Sequence, residues 1–366
     1  MTNLKILRIK SIFFALMLLM GLAADIHQAR ADIKYQALED PAPRVKDPIH
    51  NSLVAITRAG NRLVAVGVHG LVIWSDDDGR TWQQANVPVD LTLTSVYFKN
   101  ADLGWSVGHY GVILQSNDGG KNWHVDQTIF DIVKAMKSAQ ASLVASMPNS
   151  PAALLQTKVA NYFSKQIPFP PFLTVGPCGK GILAAGYKDM AMFSADNGKT
   201  WENWTPEIDN PTFRMIYGQF NNGNNPVLTG ESGFVAMSDP DCSHFSPVTD
   251  GVYPTLFGGI GISDNSFLAY GLAGTAVLTT DKGKTWKVIN LPTKSLISSG
   301  VLDASGEIIL GTNDGQLLVS HDNGNHFELS QISIPFQIAA MAVTTNNNLV
   351  VVGDGGVQTI SIQTLK

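Results

Sequence analysis

The chain has 366 residues, 44% of them hydrophobic and 15% charged, with 25 basic against 30 acidic residues. That is enough apolar chain for a conventional core, and the acidic balance argues against nucleic acid or an anionic membrane surface as partner, since both demand clustered Lys and Arg. Two cysteines exclude the disulfide framework of a small secreted domain.

The N-terminal 31 residues read as a secretory signal. Lys5, Arg8 and Lys10 form a basic stretch, Ile12 to Ala24 is apolar apart from small residues, and Ala29-Arg30-Ala31 supplies a cleavage site. The apolar stretch is about 13 residues, short of the ~18–20 that a retained span needs. No cysteine follows the site, so a lipid anchor is not expected, and no later stretch is long enough to span. The expected protein is exported, to the periplasm, and starts near Asp32. Without Lys5, Arg8, Lys10, Arg30 and Asp25 it carries 21 basic and 29 acidic residues, a net charge of −8.

One pattern then recurs at fixed internal spacing, Ser/Thr-x-Asp-x-Gly-x-x-aromatic. It stands at Ser75, Asp77, Gly79 and Trp82, at Ser116, Asp118, Gly120 and Trp123, and at Ser194, Asp196, Gly198 and Trp201. It returns at Thr279, Asp281, Gly283 and Trp286, and at Ser320, Asp322, Gly324 and Phe327. A degenerate copy runs from Ser238 to Phe245, with Pro240 and Cys242 at the Asp and Gly positions. Five residues before each Ser/Thr lies the end of a second feature, an apolar run closed by a Gly-flanked turn. The glycines leading these turns are at 67, 108, 186, 230, 271, 311 and 353, spaced by 41, 78, 44, 41, 40 and 42 residues. A period near 42 with four short β-rich runs per unit is that of a propeller blade. Seven lead glycines predict an all-β, seven-bladed propeller in one domain, 32–366.

Taken in chain order, the segment Ile33–Leu38 is expected to be a strand that closes the ring, because the last unit stops at Lys366 before a fourth strand. In the second unit strands are predicted at Thr94–Phe98, Trp105–Gly108, Val112–Gln115 and Trp123–Val125, each rich in β-branched or aromatic residues. The gap of 78 residues holds an insertion, about 127–164. Ile129, Phe130, Ile132, Val133 and Met136, followed by Leu143 and Val144, fit a helical stripe. Pro148 and Pro151 end it, and Ala152 to Phe163 forms a second helix. A long insertion in a regular ring is commonly functional.

The recurring Asp and hydroxyl are expected to be scaffold, folding back onto backbone N–H groups of the turn between the third and fourth strands. The lead turns are expected on the opposite face. They carry His69, His109, Tyr110, Tyr187, Lys188, Glu231, Asn313, Asp314 and Asp354, side chains that vary on a constant turn, and these are the candidate partner-binding residues. His69 and His109 stand alone in their turns, without the spacing of metal ligands, so neither a metal nor a cofactor is expected. Cys178 and Cys242 fall in turns on one face of neighbouring blades. The radial offset between those turns weighs against a disulfide, whose Cα atoms must lie within ~7 Å, and their pairing stays open.

The repeats resemble the bacterial neuraminidase repeat, or Asp-box, of sialidases, xyloglucan hydrolases and sortilin-type receptors. Their coupling to the lead turn, as in Gly108-His109-Tyr110-Gly111 before Ser116-Asn117-Asp118-Gly119-Gly120-Lys121-Asn122-Trp123, resembles the photosystem II stability and assembly factor family and its relatives in non-photosynthetic bacteria. That resemblance covers the mature chain except 127–164. It implies a non-catalytic propeller that holds assembling membrane or envelope proteins, in some bacteria beside a transport system. The alternative is a glycoside hydrolase. A sialidase needs three converging arginines, and the arginines beyond the signal are Arg44, Arg58, Arg62, Arg80 and Arg214, leaving blades five to seven with none. Phe213-Arg214-Met215-Ile216 lacks the proline of the sialidase Phe-Arg-Ile-Pro motif. A two-carboxylate hydrolase stays open, since carboxylate separation is invisible in sequence.

Overall fold

In a computed structural model, which describes residues 36–163, 165, 170–249 and 253–365, short antiparallel sheets follow one another around a ring. Among the described residues six sheets have four strands and the last has three. The fold is the expected seven-bladed propeller. Blade two shows the pattern, with strands Leu93–Phe98, Gly104–Gly108, Ile113–Ser116 and His124–Gln127 paired in that order. The innermost strands, from Leu53–Ala59 through Ile338–Val343, each contact the next, and the last contacts the first.

Second strands are buried throughout because both sheet faces meet neighbouring blades, so Val64, Ala65 and Val66 read as an unbroken apolar run. The core lies between blades. Trp105, Val107 and Ile113 of blade two pack against Phe172, Val175, Ile182, Ala184 and Met192 of blade three.

The two faces of the ring are set by hydrogen bonds. On one face, the first residue of the lead turn donates its N–H to the carbonyl just before its own blade's inner strand. Val68 bonds Ser52, His109 bonds Thr92, Tyr187 bonds Pro171, Glu231 bonds Met215, Leu272 bonds Thr255 and Asn313 bonds Leu296, at 2.9–3.3 Å. On the other face, the Asp-box turn of one blade meets the first hairpin of the preceding blade. Arg62 Nη1 donates to Asp118 O at 3.0 Å, Lys99 Nζ to Asn197 Oδ1 at 2.6 Å, and Thr345 Oγ1 to Asp78 Oδ1 at 2.8 Å.

That second relation decides the cysteines. Cys178 ends the inner strand of blade three, where the first hairpin turns, and Cys242 lies in the degenerate Asp-box turn of blade four. They form a disulfide with Cα atoms 5.3 Å apart, at the place where other blade pairs use a polar clamp. The radial offset that weighed against pairing is removed because each Asp-box turn leans onto the blade before it.

Ring closure departs from expectation. Gln36–Leu38, the described part of the predicted closing strand, is a single 3-10 turn; 33–35 lie outside the described residues. Asp90 N–H bonds Ala37 O and Ala42 N–H bonds Val87 O, both at 2.9–3.0 Å, so this segment follows blade one and the connection to blade two. Pro41, Pro43 and Pro48 keep the chain that follows out of a sheet, since proline has no N–H to give one. Blade seven is held instead by side chains: Val45 and Ile49 pack among Leu53, Ile73 and Val352, bridging blades one and seven.

The insertion forms two helices, α1 (Ile129–Ser146) and α2 (Pro151–Phe163). The α1 start is fixed by Asp131, whose carboxylate accepts from Thr128 N–H at 2.9 Å and Thr128 Oγ1 at 2.7 Å. Ile129, Ile132 and Met136 are buried against blades two and three, whereas Phe130 and Val144 of the predicted stripe are exposed. Among the described residues no helix is long and apolar enough to cross a membrane.

Candidate partner-binding face

Five of the seven lead turns repeat one geometry, a 3-10 turn, whereas those of blades six and seven, which carry Asn313, Asp314 and Asp354, are plain turns. The middle residue takes a left-handed conformation at His69 (φ 53°), Tyr110 (φ 57°), Lys188 (φ 44°), Ser232 (φ 53°) and Ala273 (φ 57°). The following residue is also left-handed and is glycine in four of these five turns, because a side chain has no room. At Gly70 (φ +65°) a Cβ would sit 2.1 Å from Val89 O. The constant backbone presents the middle side chain outward while the glycine sinks into the connection behind it.

Blade three breaks that rule. Asp189 (φ 68°) stands at the glycine position and is buried. Burial pushes its carboxyl up to about 8, against the hydrogen bond from Asn210 Nδ2 at 3.1 Å. Asn210, also buried, ties this group to the next blade through Arg214, donating to its carbonyl at 2.9 Å and accepting its N–H at 3.1 Å. Sequence reasoning passed over this pair. Its signal was the acid at a position where the matching turns have glycine.

The nine candidates are held in different ways. Glu231, Asp314 and Asp354 turn back onto their own blades: Glu231 Oε2 accepts from Met215 N–H at 3.2 Å, Asp314 Oδ2 from Ser295 Oγ at 2.6 Å, and Asp354 Oδ1 from Gln337 N–H at 2.9 Å. His69 Nδ1 meets Asp90 Oδ1 at 2.8 Å and stays largely exposed. Asn313 and His109 are exposed, and Tyr110 packs in part against the core between blades one and two. Tyr187 and Lys188 gather a partner from the insertion. Tyr162 of α2 places its hydroxyl 3.2 Å from that of Tyr187, and Lys188 Nζ lies 5.0 Å and 5.8 Å from the centres of the Tyr162 and Tyr187 rings. The hydrogen bond with Tyr162 holds both the Lys188 ammonium and the Tyr187 phenol above their usual values. The result is a cation seated between two aromatic rings at the base of the helical hairpin.

The Asp-boxes occupy the other face. Ser75 Oγ donates to Asp77 Oδ1 at 2.8 Å and accepts from Gly79 N–H at 2.9 Å, while Asp77 Oδ1 also takes Arg80 and Thr81 N–H at 3.1 and 2.9 Å. Asp118, Asp196, Asp281 and Asp322 do the same in their own turns. The degenerate copy keeps a version one residue early, in which Asp239 accepts from Ser243 N–H at 3.0 Å and Cys242 (φ 60°) takes the glycine's conformation. Arg62 is bonded to Asp76 at 2.6 Å on this face, and Arg214 lies before the inner strand of blade four on the opposite one, so these arginines do not converge. Among the described residues no group of three or more His, Cys, Asp or Glu is arranged to hold a metal ion.

Fold and site together define a seven-bladed Asp-box propeller with a helical hairpin on its lead-turn face. The resemblance to the photosystem II assembly factors holds in comparison: residues 74–146, from the first Asp-box through α1, match the family model described as photosynthesis system II assembly factor YCF48. Among solved structures, YCF48 bound to a D1 peptide is 15% identical, with 88% of this chain and 99% of that one covered at a TM-score of 0.61. YCF48 from Cyanidioschyzon merolae is 14% identical over 88% and 99% at 0.62. The WD40 propeller domain of Doa1 is 11% identical over 89% and 96% at 0.61, so these likenesses speak to the fold alone. No curated protein matches the chain by sequence.

Proposed function

We propose that the chain is an exported, non-catalytic propeller whose lead-turn face holds a segment of a membrane or envelope protein while a complex assembles. The observation that carries this reading is the Tyr162–Tyr187–Lys188 cluster, where an insertion foreign to the repeat completes a recognition surface on the variable face. A lysine between two tyrosines suits an extended polypeptide, giving ring faces for side chains and hydroxyls for backbone carbonyls. The D1 peptide held by a solved YCF48 propeller of the same fold supports a peptide segment as ligand. The proposed compartment is the periplasm, or the lumen in a photosynthetic cell, where Cys178–Cys242 would persist oxidised.

The test is retrieval of partners from envelope fractions by the tagged protein and by two variants. Tyr110→Ala/Lys188→Glu should weaken recovery of the partner by the folded protein. Replacing 127–164 by a Gly/Ser linker should leave the ring folded and lose the partner. Undiminished recovery with both variants would overturn the assignment of this face. No hydrolysis of sialosides, xyloglucan or aryl glycosides is expected, and turnover abolished by one Asp or Glu substitution would establish an enzyme instead.

A further inference from the structure

The distal half of the α1–α2 hairpin is built unlike the rest of the chain. Met136 is the last buried residue of α1, and Ser138–Ser146 extends about 13 Å further. In this distal half Val144, Met147 and Leu154 are exposed, the last two by more than half. The helices hold each other there, with Gln140 Nε2 donating to Thr157 Oγ1 at 3.2 Å.

Charge follows the same division. From 138 to 157 there is no Asp, Glu, Lys or Arg, whereas Lys134 and Lys137 on α1 and Lys158 on α2 bracket that stretch and are exposed. The hairpin's one acid, Asp131, is at the ring end and bonded to Thr128. An acidic protein therefore presents an uncharged apolar tip with lysines on both legs, set back from the turn by about 10–20 Å.

We propose that this tip docks into the interfacial layer of an anionic lipid bilayer. Val144, Met147 and Leu154 enter the headgroup–acyl boundary, which amphipathic elements reach to ~5–10 Å. Lys134, Lys137 and Lys158 then meet lipid phosphates at the depth their long stems allow. A bilayer is favoured over a protein cleft because the lysines stand on both legs behind one apolar end, a disposition that matches a planar charged layer. The acidic balance that argues against an anionic surface as partner for the protein as a whole repels the ring from the bilayer, and the lysines of the hairpin are the local exception, so only the hairpin touches it and the lead-turn face stays open.

Vesicle flotation of the mature protein tests this without any protein partner. Binding is expected to phosphatidylcholine vesicles containing phosphatidylglycerol, to weaken in high salt, and to be absent with phosphatidylcholine alone. Lys134→Glu/Lys137→Glu/Lys158→Glu should reduce it by about a hundred-fold or more, since each lysine near such a surface contributes roughly a factor of five. Val144→Ser/Met147→Ser/Leu154→Ser should reduce it at unchanged charge. All six side chains lie outside the core, and an unchanged melting curve checks that the variants fold. No flotation of the parent protein at low salt, or flotation indifferent to both variants, overturns the proposal. Should the variants lose only a protein partner from envelope fractions, the tip is a protein-docking element and the assembly reading stands without the lipid contact.

Discussion

Asp77 shows why one acid recurs in the turns. Hydrogen bonds, led by those from the Thr81 side chain and backbone, hold its carboxyl down to about 2. A depressed carboxyl adds stability that is present above its unfolded value near 4 and lost as pH falls through about 2, so the ring should lose stability across that window. Circular dichroism through the acid range would show it. Asp118→Ala strips the acceptor from Lys121 and Asn122 N–H and should lower stability by about 1–3 kcal/mol in urea unfolding, with partner recovery by the folded fraction unchanged. Asp189 behaves oppositely. Its carboxyl is raised, so the folded protein keeps a proton that the unfolded chain releases, and stability falls as pH rises from about 4 to about 8. Asp189→Asn keeps a side chain that tolerates positive φ and should flatten that fall. The expected gain is about 1–3 kcal/mol at pH 9, with little change at pH 4. Equal loss at both pH values would mean that the carboxyl serves only as a shape.

At the scale of elements, the Cys178–Cys242 bridge and the hairpin are the two departures from the repeat. The bridge joins residues 64 apart and fastens blade three to blade four. Cys178→Ala/Cys242→Ala should lower stability by about 2–4 kcal/mol, read as a shift in the denaturant midpoint that reductant reproduces in the parent protein. An unshifted midpoint would show that the neighbouring packing of Leu183, Phe193 and Phe245 holds the interface alone. The hairpin's existence was visible as a break in a 42-residue period, and its helices as an apolar stripe ended by Pro148 and Pro151. Which residues of the stripe face the ring was not visible. Periodicity orders side chains around a helix axis, and only contact with blades two and three selects Ile129, Ile132 and Met136 over Phe130. Tyr162 was hidden for the same reason, being 25 residues from the Tyr187 it meets.

For the whole molecule, closure rests on the chain from 39 to 52 rather than on an N-terminal strand. Deleting 32–50 would expose Leu53, Ile73 and Val352 at the junction of blades one and seven, and the melting temperature should fall by several degrees while the protein stays monomeric. An unchanged melting curve would place closure wholly in the contacts of the inner strands. The sequence by itself determined the number of blades, the strand order and the place of each Asp-box turn, because these follow from local periods and turn chemistry repeated along the chain. Only the tertiary structure decided the pairing of Cys178 with Cys242, the route of the N-terminal segment and the gathering of Tyr162, Tyr187 and Lys188. Each depends on how one blade leans on the next, and that angle is set by packing across the ring, which no local pattern encodes.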